Sequence, residues 1–171
     1  MTECFRTEEL LFMMKRISLN LTAQMELNLK RKNMTGVQAY FLVYILRHHP
    51  DGTYLTEVCR EIGISKATVS ALIKKLREKG YLYFLADPED VRKKKVLPTA
   101  KLMAEGKEFI QKAERMESEI CSVFDRKEQV QLWNLERKLI RQLAGMVRSE
   151  NSEENRQEVS QPWEKLYNHW E

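Results

Sequence analysis

Residues 55–99, LTEVCREIGISKATVSALIKKLREKGYLYFLADPEDVRKKKVLPT, leave few folds open to this chain. Gly63 interrupts a short amphipathic segment, and Ser65 is placed to cap a new helix by accepting a backbone N–H. Val69, Leu72, Ile73 and Leu76 then recur at i, i+3, i+4 and i+7, which makes a single buried stripe. Gly80 stands where a helix ends in a left-handed residue. Two strand-like runs follow, YLYFLA and KKVL, rich in aromatic and branched residues. Between them lies DPEDVRKKKV, with Asp87 and Pro88 to start the turn, three acids, then four bases. Helix, tight turn, capped helix and charged hairpin make the sequence form of a winged helix-turn-helix.

The flanking segments read as helices. Residues 5–31 carry Phe5, Leu10, Leu11, Met14, Ile17, Leu21, Met25 and Leu29 at helical steps. Thr35 caps a second helix that runs to Pro50 and is apolar on most of its circumference, hence central. HHPDGT is a turn, and residues 54–62 form a short helix with Leu55, Val58 and Ile62 facing inward and Cys59 in the core. Thr99 and Asp125 cap two long helices over residues 100–122 and 126–148. The expected fold is mainly α with a small β-hairpin wing, a winged helix-turn-helix core flanked by long dimerisation helices. The expected division is 1–34, an N-terminal dimerisation helix; 35–99, the DNA-binding core; 100–148, C-terminal dimerisation helices; and 149–171, an acidic linker and aromatic tail. The flanking helices carry more apolar surface than so small a core can cover, and a second copy of the chain is the expected cover. Trp163, Leu166, Tyr167 and Trp170 of the tail are costly to leave in water and are expected to dock on the partner subunit.

Charge supplies the partner. The formal net charge is only +4, but residues 65–101 hold ten bases against four acids, and residues 149–171 hold two against six. A localised basic patch on a near-neutral body suits a polyanion. On the capped helix the exposed set is Ser65, Lys66, Ala67, Thr68, Ser70, Ala71, Lys74 and Lys75. Small residues near its N-terminus allow close approach to base edges in a major groove, whose width admits one helix. Lys74, Lys75 and Lys79 suit phosphates. Double-stranded DNA is therefore the expected partner.

The stretch GISKATVSALIKKLREKGYLYFLADPEDVRKKKVLPT resembles the recognition helix, wing and following cap of the MarR family of bacterial transcriptional regulators. The family's wing motif of Asp and Arg two residues apart, a return strand and a Thr is matched by Asp90, Arg92 and Thr99. The resemblance spans residues 35–115, with the outer helices alike only in length and order. It implies a homodimer, recognition helices in successive major grooves and a wing, built on Asp90, Arg92, Lys93, Lys94 and Lys95, whose Arg92 enters a minor groove. It further implies a repressor on a pseudo-palindromic operator, and a small aromatic ligand in a pocket to which Phe12, Met13, Tyr40, Phe41 and Tyr44 are the candidate lining residues. Three positions depart from the pattern: Val91 in place of a second Arg, Pro98 in place of an apolar residue before Thr99, and Leu102 in place of a Gly.

Other chemistries find little footing. Ser70 has no adjacent base and there is no Gly-rich phosphate loop, so no catalytic residue, no cofactor and no enzyme are expected. His48 and His49 lie at a helix end, where the dipole accounts for them, and no metal site is expected. Cys4, Cys59 and Cys121 are odd in number and far apart, which fits a reducing cytoplasm better than a disulfide framework. Cys4, with only Arg6 nearby to activate it, is expected to be inert. No signal peptide or apolar membrane-spanning run is expected. The rival reading is a winged-helix protein-interaction module without DNA binding.

Overall fold

The computed structural model describes residues 6–30, 33–88, 90 and 93–151, the last five by backbone only. Its elements run α1 (Thr7–Leu29), α2 (Gly36–His48), β1 (Thr53–Tyr54), α3 (Leu55–Ile62), α4 (Lys66–Glu78), β2 (Leu82–Ala86), β3 (Lys94–Pro98), α5 (Ala100–Cys121) and α6 (Arg126–Asn151). Cys4, Phe5, Arg92 and residues 163–170 of the aromatic tail lie outside the described residues.

Helix α2 is the axis of the core. Thr35 caps it with Gln38 in a reciprocal box, and eight of its residues are buried, including Leu42, Ile45 and Leu46. Helix α1 crosses its N-terminus so closely that Gly36 admits no side chain, since a Cβ there would meet the carbonyl oxygen of Thr22 at 1.9 Å. Glu26 of α1 accepts a hydrogen bond from the Gly36 N–H at 2.9 Å, a carboxylate at the positive end of α2. On the other side α5 buries Leu102, Phe109, Ala113 and Met116, with Gly106 against Leu46. Arg47 and Glu117 tie α2 to α5 through two parallel bonds of 2.9 Å.

The sheet has three strands in the order β1-β3-β2, all antiparallel. The hairpin β2–β3 is the expected wing. The third strand was not expected: Thr53 and Tyr54 pair with Val96 and Lys95, and Tyr54 caps α3 instead of starting it. A two-residue strand carries no periodicity to read. Ile62 also departs from expectation. It lies 38% exposed, facing a cleft rather than the core, because Gly63 ends α3 just after it.

Helices α1 and α6 expose much of their apolar surface. Leu11, Ile17, Leu135 and Leu143 are each more than half exposed, while Met25 and Leu29 at the end of α1 are fully covered. No helix among the described residues is long and apolar enough to cross a membrane.

Candidate nucleic-acid interface

Helix α4 is held by a stripe and presented by its caps. Val69, Ile73 and Leu76 are completely buried and Leu72 packs beside them. Ser65 accepts the Thr68 N–H at 3.2 Å, and the two hydroxyls share a bond of 2.8 Å at the mouth of the helix. Ser65, Lys66, Ala67, Thr68, Ser70, Ala71, Lys74 and Lys75 are all exposed, on the side away from that stripe. The face so formed is small and neutral or basic near the N-terminus and cationic further along.

At its C-terminal end α4 is locked by long-range bonds. Gly80 takes a φ of 75°, and Thr99 donates its hydroxyl to the Gly80 carbonyl at 2.7 Å while capping α5. Lys101 donates to the Lys79 carbonyl at 3.0 Å and lies over the Tyr81 ring. Lys79 itself does not face outward as expected of a phosphate ligand. Its ammonium donates to the Gln38 side-chain oxygen at 2.6 Å and to the Asn33 carbonyl, so it ties α4 to the α1–α2 corner. The side chain of Gln38 is buried and also accepts from Thr35, and a cation nearby helps satisfy its oxygen.

The wing turn closes through backbone bonds from Asp87 to the Lys93 carbonyl and from Lys93 to the Asp90 carbonyl. Tyr54 donates its hydroxyl to the Asp87 carboxylate at 2.8 Å, which fixes the base of the turn to β1. Lys93 and Lys94 are exposed, Asp90 and Lys95 half-buried. Below the wing, burial works to raise the Glu57 carboxyl, but hydrogen bonds from the Tyr54 N–H and the Thr53 hydroxyl outweigh it and hold the group below its ordinary range. Burial pushes the Cys59 thiol up despite Lys66 nearby, which disfavours the thiolate.

Between α1, α2 and the α3–α4 pair opens an apolar cavity of about 570 Å³. Tyr40, Phe41 and Tyr44 line it, as do Met14, Ile17 and Ile62. Of the other candidates, Phe12 is exposed outside it, and Met13 lines a separate groove of about 420 Å³ beside Arg16 and Ile120. One neighbour of the cavity escaped the sequence reading. The Tyr44 hydroxyl, the His49 Nε2 and the Glu61 carboxylate meet, with His49 at 2.6 Å from Glu61 and 3.0 Å from Tyr44. So His49 is held by a distant carboxylate as well as by the end of α2. Burial first, and then the Glu61 carboxylate, raise the Tyr44 phenol well above its ordinary range. Burial and Glu117 raise Tyr40 as well. No spacing in the sequence links Tyr44 to Glu61.

Residues 32–93 match the MarR family model. No curated protein matches the chain. Three solved structures illustrate the likeness of fold. A S. aureus MepR–DNA complex is 24% identical, with 81% of this chain and 99% of that chain covered and a TM-score of 0.71. A putative MarR family regulator from Listeria monocytogenes, complexed with 26mer DNA, is 19% identical over 87% and 97%, at 0.72. Bordetella bronchiseptica BpsR, whose DNA binding is regulated by 6-hydroxynicotinic acid, is 23% identical over 80% and 96%, at 0.67.

Proposed function

Residues 32–93 of this chain belong to the MarR family, and on that premise we propose that the protein is a sequence-specific, double-stranded DNA-binding transcriptional regulator. The observation that carries the reading is the face of α4: eight exposed residues, three of them lysines, set on a completely buried stripe and flanked by a basic hairpin. Ala67, Ser70 and Ala71 give the close approach that base edges require, and Lys66, Lys74 and Lys75 supply phosphate contacts. Lys93 and Lys94 extend the positive surface along the wing, and the minor-groove contact is assigned to Arg92 from the wing motif alone. The protein acts as a homodimer, because the exposed apolar residues of α1 and α6 need a cover that the protomer does not supply. Its operator is then a pseudo-palindrome with half-sites about 10 bp apart. The mode of action is repression, relieved by a small aromatic ligand in the cavity lined by Tyr40, Phe41 and Tyr44.

The test is selection of bound sequences from a random duplex pool, followed by gel shifts. The expected result is a palindromic consensus, with affinity that falls steeply as salt rises. Lys74→Ala should weaken binding equally on all sequences and reduce the salt slope by about 2, one phosphate contact in each half-site, whereas Ser70→Ala should relax preference at one position in each half-site. No duplex affinity even at low salt favours the rival, an interaction module without DNA binding.

A further inference from the structure

The crease between α4 and the wing holds an arrangement of two cations and one aromatic ring. Arg77, in the last turn of α4, lies within about 60° of Lys66, Ser70 and Lys74 around a helix of 3.6 residues per turn. Its guanidinium carbon sits 4.2 Å from the centre of the Phe84 ring in β2. Lys94, on the facing strand β3, brings its ammonium to 5.9 Å from the same ring. Arg77 and Lys94 are exposed, and among the described residues neither has a carboxylate partner.

Two like charges gathered on one ring repel each other, and the ring's quadrupole offsets only part of that repulsion. An anion seated between them removes it. A guanidinium resting on an aromatic face keeps its N–H edge free for bidentate contact with phosphate oxygens, and the ring limits the freedom lost on binding. On the duplex-binding reading, with α4 in a major groove and the wing in the adjacent minor groove, a backbone passing from one to the other would cross this crease. We propose that Arg77 and Lys94, gathered on Phe84, form a clamp for a single DNA backbone phosphate. The proposal rests on the duplex-binding reading above. It gives Phe84 a positioning role: the ring orients Arg77 and touches no DNA.

The test uses the full-length protein, the duplex selected by the wild type and a scrambled duplex of equal length. Arg77→Gln is expected to bind both roughly a hundredfold more weakly, about tenfold for the charge-assisted hydrogen bond lost from each protomer of the homodimer. The salt dependence should become shallower by up to about 1.8 in slope, one phosphate's share of about 0.9 from each protomer of the homodimer. Lys94→Gln should act in the same sense. Phe84→Leu, with Arg77 intact, should lose affinity on both duplexes, and Phe84→Tyr should restore it. Unchanged thermal melting identifies variants that keep the fold, and Lys94→Gln carries the test if Arg77→Gln does not. The clamp is overturned if Arg77→Gln binds within twofold of the wild type at an unchanged slope. It is overturned equally if the loss is confined to the selected duplex, which would make Arg77 a base contact. A wild type that holds no duplex at low salt overturns the duplex-binding reading and the clamp together, whereas binding by the wild type with indifferent variants removes the clamp alone.

Discussion

Gly36→Ala is the sharpest test of how the helices are assembled. A Cβ at this position lands 1.9 Å from the Thr22 carbonyl oxygen and 2.8 Å from Thr22 Cγ2. Ordinary contact begins near 3.4 Å, so α1 must retreat by about 1.5 Å or α2 must shift by as much. The obstacle is backbone within a helix, which cannot rotate away as a side-chain tip could. That retreat lengthens the 2.9 Å bond between Glu26 and the Gly36 N–H past useful range and loosens the cover of Met25 and Leu29. Overpacking costs about 1–3 kcal/mol. The lost bond to an exposed carboxylate adds about 1 kcal/mol, and the gain in helix propensity returns less than about 1 kcal/mol. The net is about 1–4 kcal/mol, which for a chain of this length at about 2–4 °C per kcal/mol lowers Tm by at least about 2 °C and by up to about 16 °C. Thermal unfolding by circular dichroism, at matched protein concentration because association shifts Tm, reads it directly. Gly145→Ala is the control: nothing lies within 4 Å of a Cβ there, so its Tm should equal or exceed the wild type's. A Gly36→Ala protein melting within about 2 °C of the wild type would falsify the close crossing of α1 and α2.

Lys79→Gln should lower stability by about 1.5 kcal/mol through the lost bonds to Gln38 and Asn33, while leaving the salt slope of duplex binding unchanged; a slope shallower by about 2, one contact from each protomer, would return Lys79 to the phosphate contacts. Tyr44→Phe removes the hydroxyl shared by His49 and Glu61 and should cost about 1 kcal/mol in urea unfolding, and an unchanged midpoint would dismiss the cluster as a stabilising element. Glu57 is depressed in the fold, so its contribution is fully present above its unfolded value near 4.5 and is lost as pH falls through its lower folded value. Glu57→Gln should therefore flatten the acid limb of the stability profile, and an identical acid limb would refute the assigned hydrogen bonds. Tyr44 is raised in the fold, so its contribution is present below the ordinary phenol value of 10 and fades as pH climbs beyond it. Tyr40 is raised as well, so spectrophotometric titration should leave at least two more tyrosines silent just above pH 10 in the wild type than in the unfolded chain.

Much of the architecture is written in local signals. Thr35, Ser65, Thr99 and Asp125 each cap the helix they precede, and Gly63 and Gly80 take left-handed geometry at the two helix ends. The stripe Val69, Ile73, Leu76 is buried as its spacing requires. These features depend on residues within a turn or two of each other, and such interactions survive translation into pattern. Strand β1 left no such trace, because its two residues gain their state only by pairing with β3 some forty positions later.

The sequence by itself determined the order of elements, the register of the apolar stripe on α4, and the concentration of positive charge on that helix and the hairpin beside it. Tertiary structure alone decided what individual polar groups do. Lys79 looks like its neighbours Lys74 and Lys75 in the sequence, yet it reaches across to Gln38 while they stay in solvent. Arg77 and Lys94 are seventeen residues apart and reach one aromatic ring only because β2 brings Phe84 beside both. Tyr44, His49 and Glu61 converge only where α2 and α3 come together. Periodicity reports which side of a helix is buried, because burial follows the pitch of the backbone. The partner of a charged or hydroxyl group follows from which distant segment packs against it, and that is settled when the chain closes on itself.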